Sequence, residues 1–328
     1  MVAFSVLAVS LAYVGGVSRV PASQLLVRGG ARAVMSDTEA PPAAPAPPAA
    51  PYVEGKSAEG LKTVTLTHPK NGDSAVIYTF GACVTSYKHG DNEVLKIRPD
   101  AKLDGSKPIS GGIPFCFPQF GPGAMQQHGF ARNLDWELLP SAGGADPSVS
   151  LRLVDSSATR EMWPHAFEAT YTVTLTPDAL KTQFKVLNTG DAPFTFTGAL
   201  HSYFDVSSIA NLKITGNFKG AQFLDKTAKP PAVRVAPADE ITISKETDSV
   251  YKGVSGDVVL RDSGKGTALT ISCKQGWRDT VVWNPYGDEG MGFNSFVCAE
   301  AAVAAFPFTL QPGSEWTGLM DLESKPLA

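Results

Sequence analysis

From about residue 60 onward the chain is written in short apolar/polar alternations, each broken within ten residues or so by Gly, Pro, Asn or Asp. A period of two puts successive side chains on opposite faces of an extended backbone, so such runs specify half-buried strands and resist helix formation. Lys62–Thr67 (KTVTLT) alternates, as does Ser74–Tyr87, where Gly81 predicts a bend. Further strands are expected at Val149–Val154, Ala169–Thr176, Leu180–Leu187, Phe194–Thr197, Leu212–Thr215, Asp257–Arg261, Ala268–Cys273, Thr280–Trp283, Ser295–Glu300 and Thr317–Asp321. Pro177-Asp178-Ala179 and Gly264-Lys265-Gly266 read as hairpin turns. No long amphipathic helix, no internal repeat, no βαβ alternation and no glycine-rich phosphate loop interrupts this pattern. The expected fold is therefore all-β, a large antiparallel β-sandwich, and nucleotide-binding α/β folds are disfavoured.

The first fifty residues follow other rules. Residues 1–36 carry Arg19, Arg28 and Arg32 but no Asp, Glu or Lys. An acid-free, Arg-containing, hydroxylated N-terminus reads as an organellar transit peptide, here for the chloroplast stroma. The apolar run Met1–Val14 also fits a signal-peptide core, a bipartite plastid signal would combine both, and a disordered tail on a cytoplasmic protein is the bland alternative. Residues 37–58 contain the run APPAAPAPPAAP and read as a Pro/Ala linker, which leaves 59–328 as the folded domain.

Charge and cysteine usage narrow the function classes. The chain has 28 Lys and Arg against 32 Asp and Glu, a net charge of −4, and no basic run. Nucleic-acid binding rests on neutralising phosphates, so a nucleic-acid partner is not expected. Cys83, Cys116, Cys273 and Cys298 form no CxxC pair and read as free thiols. No apolar run in the folded region is long enough to span a membrane. The histidines His68, His89, His128, His165 and His201 form no HxH or HExxH pair, so no metal site is expected, and no GxSxG elbow supports serine catalysis.

Three segments carry candidate chemistry. His201 lies in TGALHSYF just past an apolar strand, where an imidazole could give or take a proton near neutral pH. The competing reading is a hydrogen-bonded core histidine. Glu300 lies in SFVCAEAAVAAF and is the only charged residue between Glu289 and Glu315. On a strand it shares a face with Phe296 and Cys298, an expensive place for a carboxylate unless it is paired or used. Burial should raise its pKa and make it a better base at neutral pH, whereas a structural carboxylate held by Arg or backbone amides is the alternative. The third segment, SGGIPFCFPQFG followed by QQHGFARN, is read as a Gly- and Pro-rich loop rather than a core strand. It carries Gln119, Gln127, His128, Arg132 and Asn133, side chains suited to sugar hydroxyls, and an Ω-type loop without a ligand is its alternative. Trp163, Trp277, Trp283 and Trp316 are either stacking platforms or core.

Taken together, GGIPFCFPQFG, QQHGFARN, ALHSYF, TVVWNP, FVCAE and LQPGSEW resemble the glucose-6-phosphate 1-epimerase (hexose-6-phosphate mutarotase) group of the aldose 1-epimerase family, from about residue 60 to 322. AKLDGSKPISGG and FGPGAMQQHGFARNLDW are similar to its plant and algal, apospory-associated protein C-like branch. The resemblance implies a galactose mutarotase-like supersandwich that interconverts the anomers of a hexose 6-phosphate, with no cofactor and no metal. It implies catalytic roles for His201 and Glu300 and substrate contacts from Gln127, His128, Arg132 and Asp248. The implied partner is a small-molecule sugar or sugar phosphate bound by a monomer, away from nucleic acid and membrane. An epimerase of unphosphorylated aldoses and a non-catalytic carbohydrate-binding protein are the competing functions. Two departures bear on the choice. Many members carry Arg before GGIP, where this chain has Ser110, and Asp205 follows HSYF where Arg or Val is common.

Overall fold

A computed structural model describes residues 52–140 and 143–327. The transit-peptide reading of residues 1–36, and the linker up to residue 51, lie outside the described residues. Antiparallel strands dominate, and Ser157–Met162, closed by a Ser156–Thr159 capping box, is the one α-helix among the described residues. No helix among them is long and apolar enough to cross a membrane.

Among the described residues the strands form three sheets. A five-stranded meander runs Tyr52–Lys56, Lys62–Thr67, Ser74–Tyr78, Val84–His89 and Asn92–Glu93. Its first strand pairs with Lys62–Thr67 and lies within the stretch read from sequence as linker. The sequence hid this strand because YVEGK alternates weakly and follows a proline run. A nine-stranded sheet has the long pair Leu180–Asn188 and Glu315–Pro326 near its centre. An eight-stranded sheet is organised around Phe296–Leu310, which pairs with Phe194–Leu200, Tyr203–Asp205 and Asp279–Asn284.

The alternation dictates the core. Phe167–Leu175 buries every odd-numbered position, as Phe167, Ala169, Tyr171, Val173 and Leu175, and leaves the even ones half-exposed. Phe115, Phe117, Phe167, Phe184, Trp136 and Trp163 interlock edge-to-face and stacked, with centroids 4.7–6.4 Å apart. Trp163, Trp277 and Trp316 belong to this core, so of the four tryptophans singled out only Trp283 is free to meet a ligand. All four cysteines are free, and Cys83, Cys116 and Cys298 are buried.

The Gly/Pro-rich segment departs from expectation. It threads the core: Phe115–Cys116 pairs with Phe194–Leu200, and Phe115, Cys116 and Phe117 are buried. Its glycines permit close backbone packing rather than looseness. Gly112 has φ +68°, and a Cβ there would sit 2.1 Å from the Val84 carbonyl oxygen. Gly129 has φ +72°, and a Cβ would meet the Phe117 carbonyl at 2.3 Å. Only glycine fits where backbones touch in a left-handed conformation.

Candidate active site

Strand register brings the two candidate catalytic residues together. Leu200 pairs with Ala301 and Tyr203 with Cys298, so the intervening His201-Ser202 lies opposite Ala299-Glu300. The His201 backbone N–H donates to Pro114 O at 2.9 Å and the Tyr203 N–H to Gly112 O at 2.8 Å, pinning this bend to the Gly/Pro segment. The result is a His201 Nδ1 to Glu300 Oε1 separation of 3.5 Å, an ion-pair distance rather than a hydrogen bond. Both side chains are nearly enclosed, yet both line a cleft of about 350 Å³. His201 Nδ1 and Glu300 Oε2 make no hydrogen bond within the protein. Buried polar atoms are ordinarily satisfied, and these two exceptions belong to residues that line the same cleft.

The surroundings orient the imidazole. Tyr203 stacks flat on His201, with centroids 4.8 Å apart and planes at 10°, and Trp283 approaches it edge-on at 5.8 Å. His128 stands across from it at 5.4 Å and 81°. His128 itself sits at φ +69°, a conformation that costs a non-glycine residue about 1–3 kcal/mol and is retained where the surroundings enforce it. Its backbone bridges Gly121 and Phe117, and the Gly121 N–H donates to Nδ1 at 3.1 Å. Nδ1 thereby accepts from the backbone, and Nε2 lies 3.3 Å from the side-chain nitrogen of Gln127.

Charge is distributed around the pair. Arg132, in the short Ala131–Asn133 turn of helix, donates to the Gln127 carbonyl at 2.8 Å. Asp248 pairs with Lys226 at 2.9 Å, and Lys226 in turn hovers 5.5 Å above the Phe120 ring. Burial pushes Glu300 well above the usual carboxylate range; Asp248 adds to this, while Lys226 and Arg132 oppose it. Burial, then His128 and Arg132, holds His201 well below ordinary imidazole values. Burial and the same cations bring His128 down to about 3. Burial thus disfavours the charged form of each, imidazolium at His201 and carboxylate at Glu300.

His201, Glu300, Gln127, His128, Arg132 and Asp248 line this one cleft, whereas Gln119, whose amide holds the Gly121 and Met125 carbonyls, and Asn133 do not. Ser110 lines it as well. Asp205 does not: it binds Lys96 at 2.8 Å and Lys265 at 2.5 Å, and so ties the Gly264–Gly266 hairpin to the strand after His201. The sequence reading missed Arg98 and Lys226, which also line the cleft. Neither sits in a distinctive motif; IRPD and LDKT look like solvated surface until the fold turns them inward.

The family model "Aldose 1-epimerase" matches residues 62–323. A protein of Cenchrus ciliaris, provisionally named glucose-6-phosphate 1-epimerase, is 33% identical over 290 residues, which is 83% of this chain and 87% of that one. A Salmonella typhimurium protein with the same provisional name is 32% identical over 279 residues, covering 78% and 88%. Among solved structures, a Salmonella typhimurium protein described provisionally as a mutarotase superposes with TM-score 0.74 at 27% identity, covering 84% of this chain and 94% of its own. A galactose mutarotase-like protein from Clostridium acetobutylicum superposes with TM-score 0.71 at 16% identity, covering 84% and 98%, a likeness of fold. With the family model spanning most of the chain, the protein belongs to the aldose 1-epimerase family.

Proposed function

We propose that the protein interconverts the α and β anomers of a hexose 6-phosphate, glucose 6-phosphate being the first candidate, by acid–base ring opening and closure. The observation that carries this reading is the His201–Glu300 contact of 3.5 Å inside a sugar-sized cleft. The names of the relatives supply the substrate class, and three cleft cations, Arg98, Arg132 and Lys226, suit an anionic sugar.

In the reaction Glu300, as carboxylate, takes the proton from the C1 hydroxyl while His201, as imidazolium, protonates the ring oxygen. The C1–O5 bond breaks as the C1–O1 double bond forms. Rotation about C1–C2 turns the other face of the aldehyde to O5. The return step reverses both proton transfers and closes the ring as the other anomer. The resting pair, imidazole and carboxylic acid, holds the same number of protons as the reactive pair, imidazolium and carboxylate. One proton shift across 3.5 Å prepares the site, and Arg132 and Lys226 favour the carboxylate that results. Gln127, Arg132 and Asp248 hold ring hydroxyls, with His128 beside them in the cleft. No step requires redox or group transfer.

The test is anomer exchange of glucose 6-phosphate followed by NMR, with glucose in parallel. Acceleration of neither sugar rejects the enzymatic reading in favour of a carbohydrate-binding protein, and acceleration of glucose alone assigns the unphosphorylated class. The Arg-bearing, acid-free residues 1–36 support import into the chloroplast stroma. A fluorescent fusion of that segment that stays in the cytoplasm would reject it.

A further inference from the structure

Three aromatic rings meet the His201 imidazole, and they meet it differently. His128 and Trp283 stand nearly perpendicular to it, at 81° and 82°. Tyr203 lies flat on it, with planes at 10° and centroids 4.8 Å apart. The register accounts for the stack. Leu200 pairs with Ala301 and Tyr203 with Cys298, so His201 falls opposite Glu300 and two residues before Tyr203. Side chains two apart on extended backbone share a face.

The Tyr203 ring is held at both ends. Its backbone N–H donates to Gly112 O at 2.8 Å, and its carbonyl accepts from the Lys96 N–H at 3.0 Å. Its hydroxyl oxygen accepts from the Arg98 side chain, whose Nε also donates to Asp100 at 2.8 Å. Phe296 packs on the ring with centroids 5.4 Å apart. Burial pushes the phenol well above its ordinary range, so the stacked ring is neutral at physiological pH.

What the stack does follows from the charge that turnover puts on His201. Burial, His128, Arg132 and Lys226 all work against an imidazolium there. Glu300 faces it at 3.5 Å as the anion of the reactive pair, and Asp248, on the strand Thr247–Tyr251, acts on Glu300. An aromatic face carries negative potential and attracts a cation centred within about 6 Å of it. The charge of an imidazolium is spread over its ring, and that ring lies over the Tyr203 face.

We infer that Tyr203 is a positioning residue that acts through His201: its ring face stabilises the imidazolium as it forms, and the bond from Arg98 keeps that face under the imidazole. The assignment rests on the acid–base reading given above and goes beyond it by naming the group that offsets burial at the acid.

The experiment places at position 203 phenylalanine, then phenylalanine carrying one, two and three ring fluorines. Each fluorine weakens the negative face while the shape of the ring is nearly kept. Two quantities are read: kcat for anomer exchange, and the titration of His201 followed by NMR without substrate. With Tyr203→Phe as the reference, both should fall stepwise, kcat by about 10-fold and the His201 titration by about one pH unit across the series. Tyr203→Leu, which has no ring, should fall at least as far. A series without this trend would overturn the role, because a merely structural ring is indifferent to its fluorines. Should Tyr203→Leu fail to fold, the fluorinated series decides alone. A wild type that accelerates exchange of neither glucose 6-phosphate nor glucose overturns the acid–base reading, and the titration then still decides whether the stack favours the imidazolium.

Discussion

His201 and Glu300, ninety-nine positions apart in the chain, meet at 3.5 Å because Tyr203 pairs with Cys298 and Leu200 with Ala301 on the same strand. An imidazole and a carboxyl group held by one continuous strand, Phe296–Leu310, cannot drift relative to each other without breaking the sheet. That rigidity suits a reaction in which both must act on one pyranose.

The first prediction concerns this pair. Glu300→Gln keeps the shape of a nearly enclosed side chain and removes its proton-transfer capacity. Turnover should fall by about 10²–10⁴-fold, the usual contribution of a positioned general base. Anomer-resolved NMR measures it, and circular dichroism checks that the sheets are unchanged. A glutamine variant with wild-type exchange rates would remove Glu300 from the mechanism.

The pH profile follows from the shifts. The working pair holds one proton, so activity is lost when it gains a second and when it loses its only one. His201 is depressed, so the acidic limb of kcat/KM should lie below the ordinary imidazole value of 6.5. Glu300 is raised, so the alkaline limb should lie above the ordinary carboxyl value of 4.5, leaving a plateau between them. Asp248 is one cause of that rise. Asp248→Asn removes a negative charge from beside Glu300 and should move the alkaline limb to lower pH. A limb that stays put or moves upward contradicts the assignment.

Gly112 tests the backbone that carries the site. Gly112→Ala introduces a Cβ 2.1 Å from Val84 O at φ +68°, and Gly112 O also receives the Tyr203 N–H. Backbone strain and the clash together should cost about 3 kcal/mol or more. Thermal unfolding would register this as a large drop in Tm. An unchanged Tm would mean the strand contact is looser than it looks.

Asp205 should behave differently. It accepts from Lys96 and Lys265, each about a fifth to a third exposed, at a point outside the cleft. Asp205→Asn should lower stability by roughly 1–2 kcal/mol, below the range for a fully buried pair because solvent reaches all three groups. The preference between phosphorylated and free sugar should not change. A changed preference would assign the residue to the site instead.

Much of this protein was legible in its order of residues. Alternation at period two fixes the strands, because the buried face of a sheet recurs every second residue, and Phe167–Leu175 and Leu180–Asn188 fall where that pattern puts them. The isolation of Glu300 in an apolar run and the HSYF, QHGFARN and GGIPF segments pointed to one site, and the fold gathers them around one cleft. What the order of residues could not carry is anything that depends on pairing across long gaps. Whether Gly and Pro at 110–121 make a free loop or a packed thread depends on Val84 and Phe117 lying against Gly112 and Gly129. Whether Asp205 touches the site depends on a hairpin sixty residues away. The protonation of His201 is set by burial, and the inward turn of Arg98 by the bridge between Ile97 and Gly111. Local pattern determines which face of a strand is apolar; only the register between distant strands decides which polar side chains share a cavity.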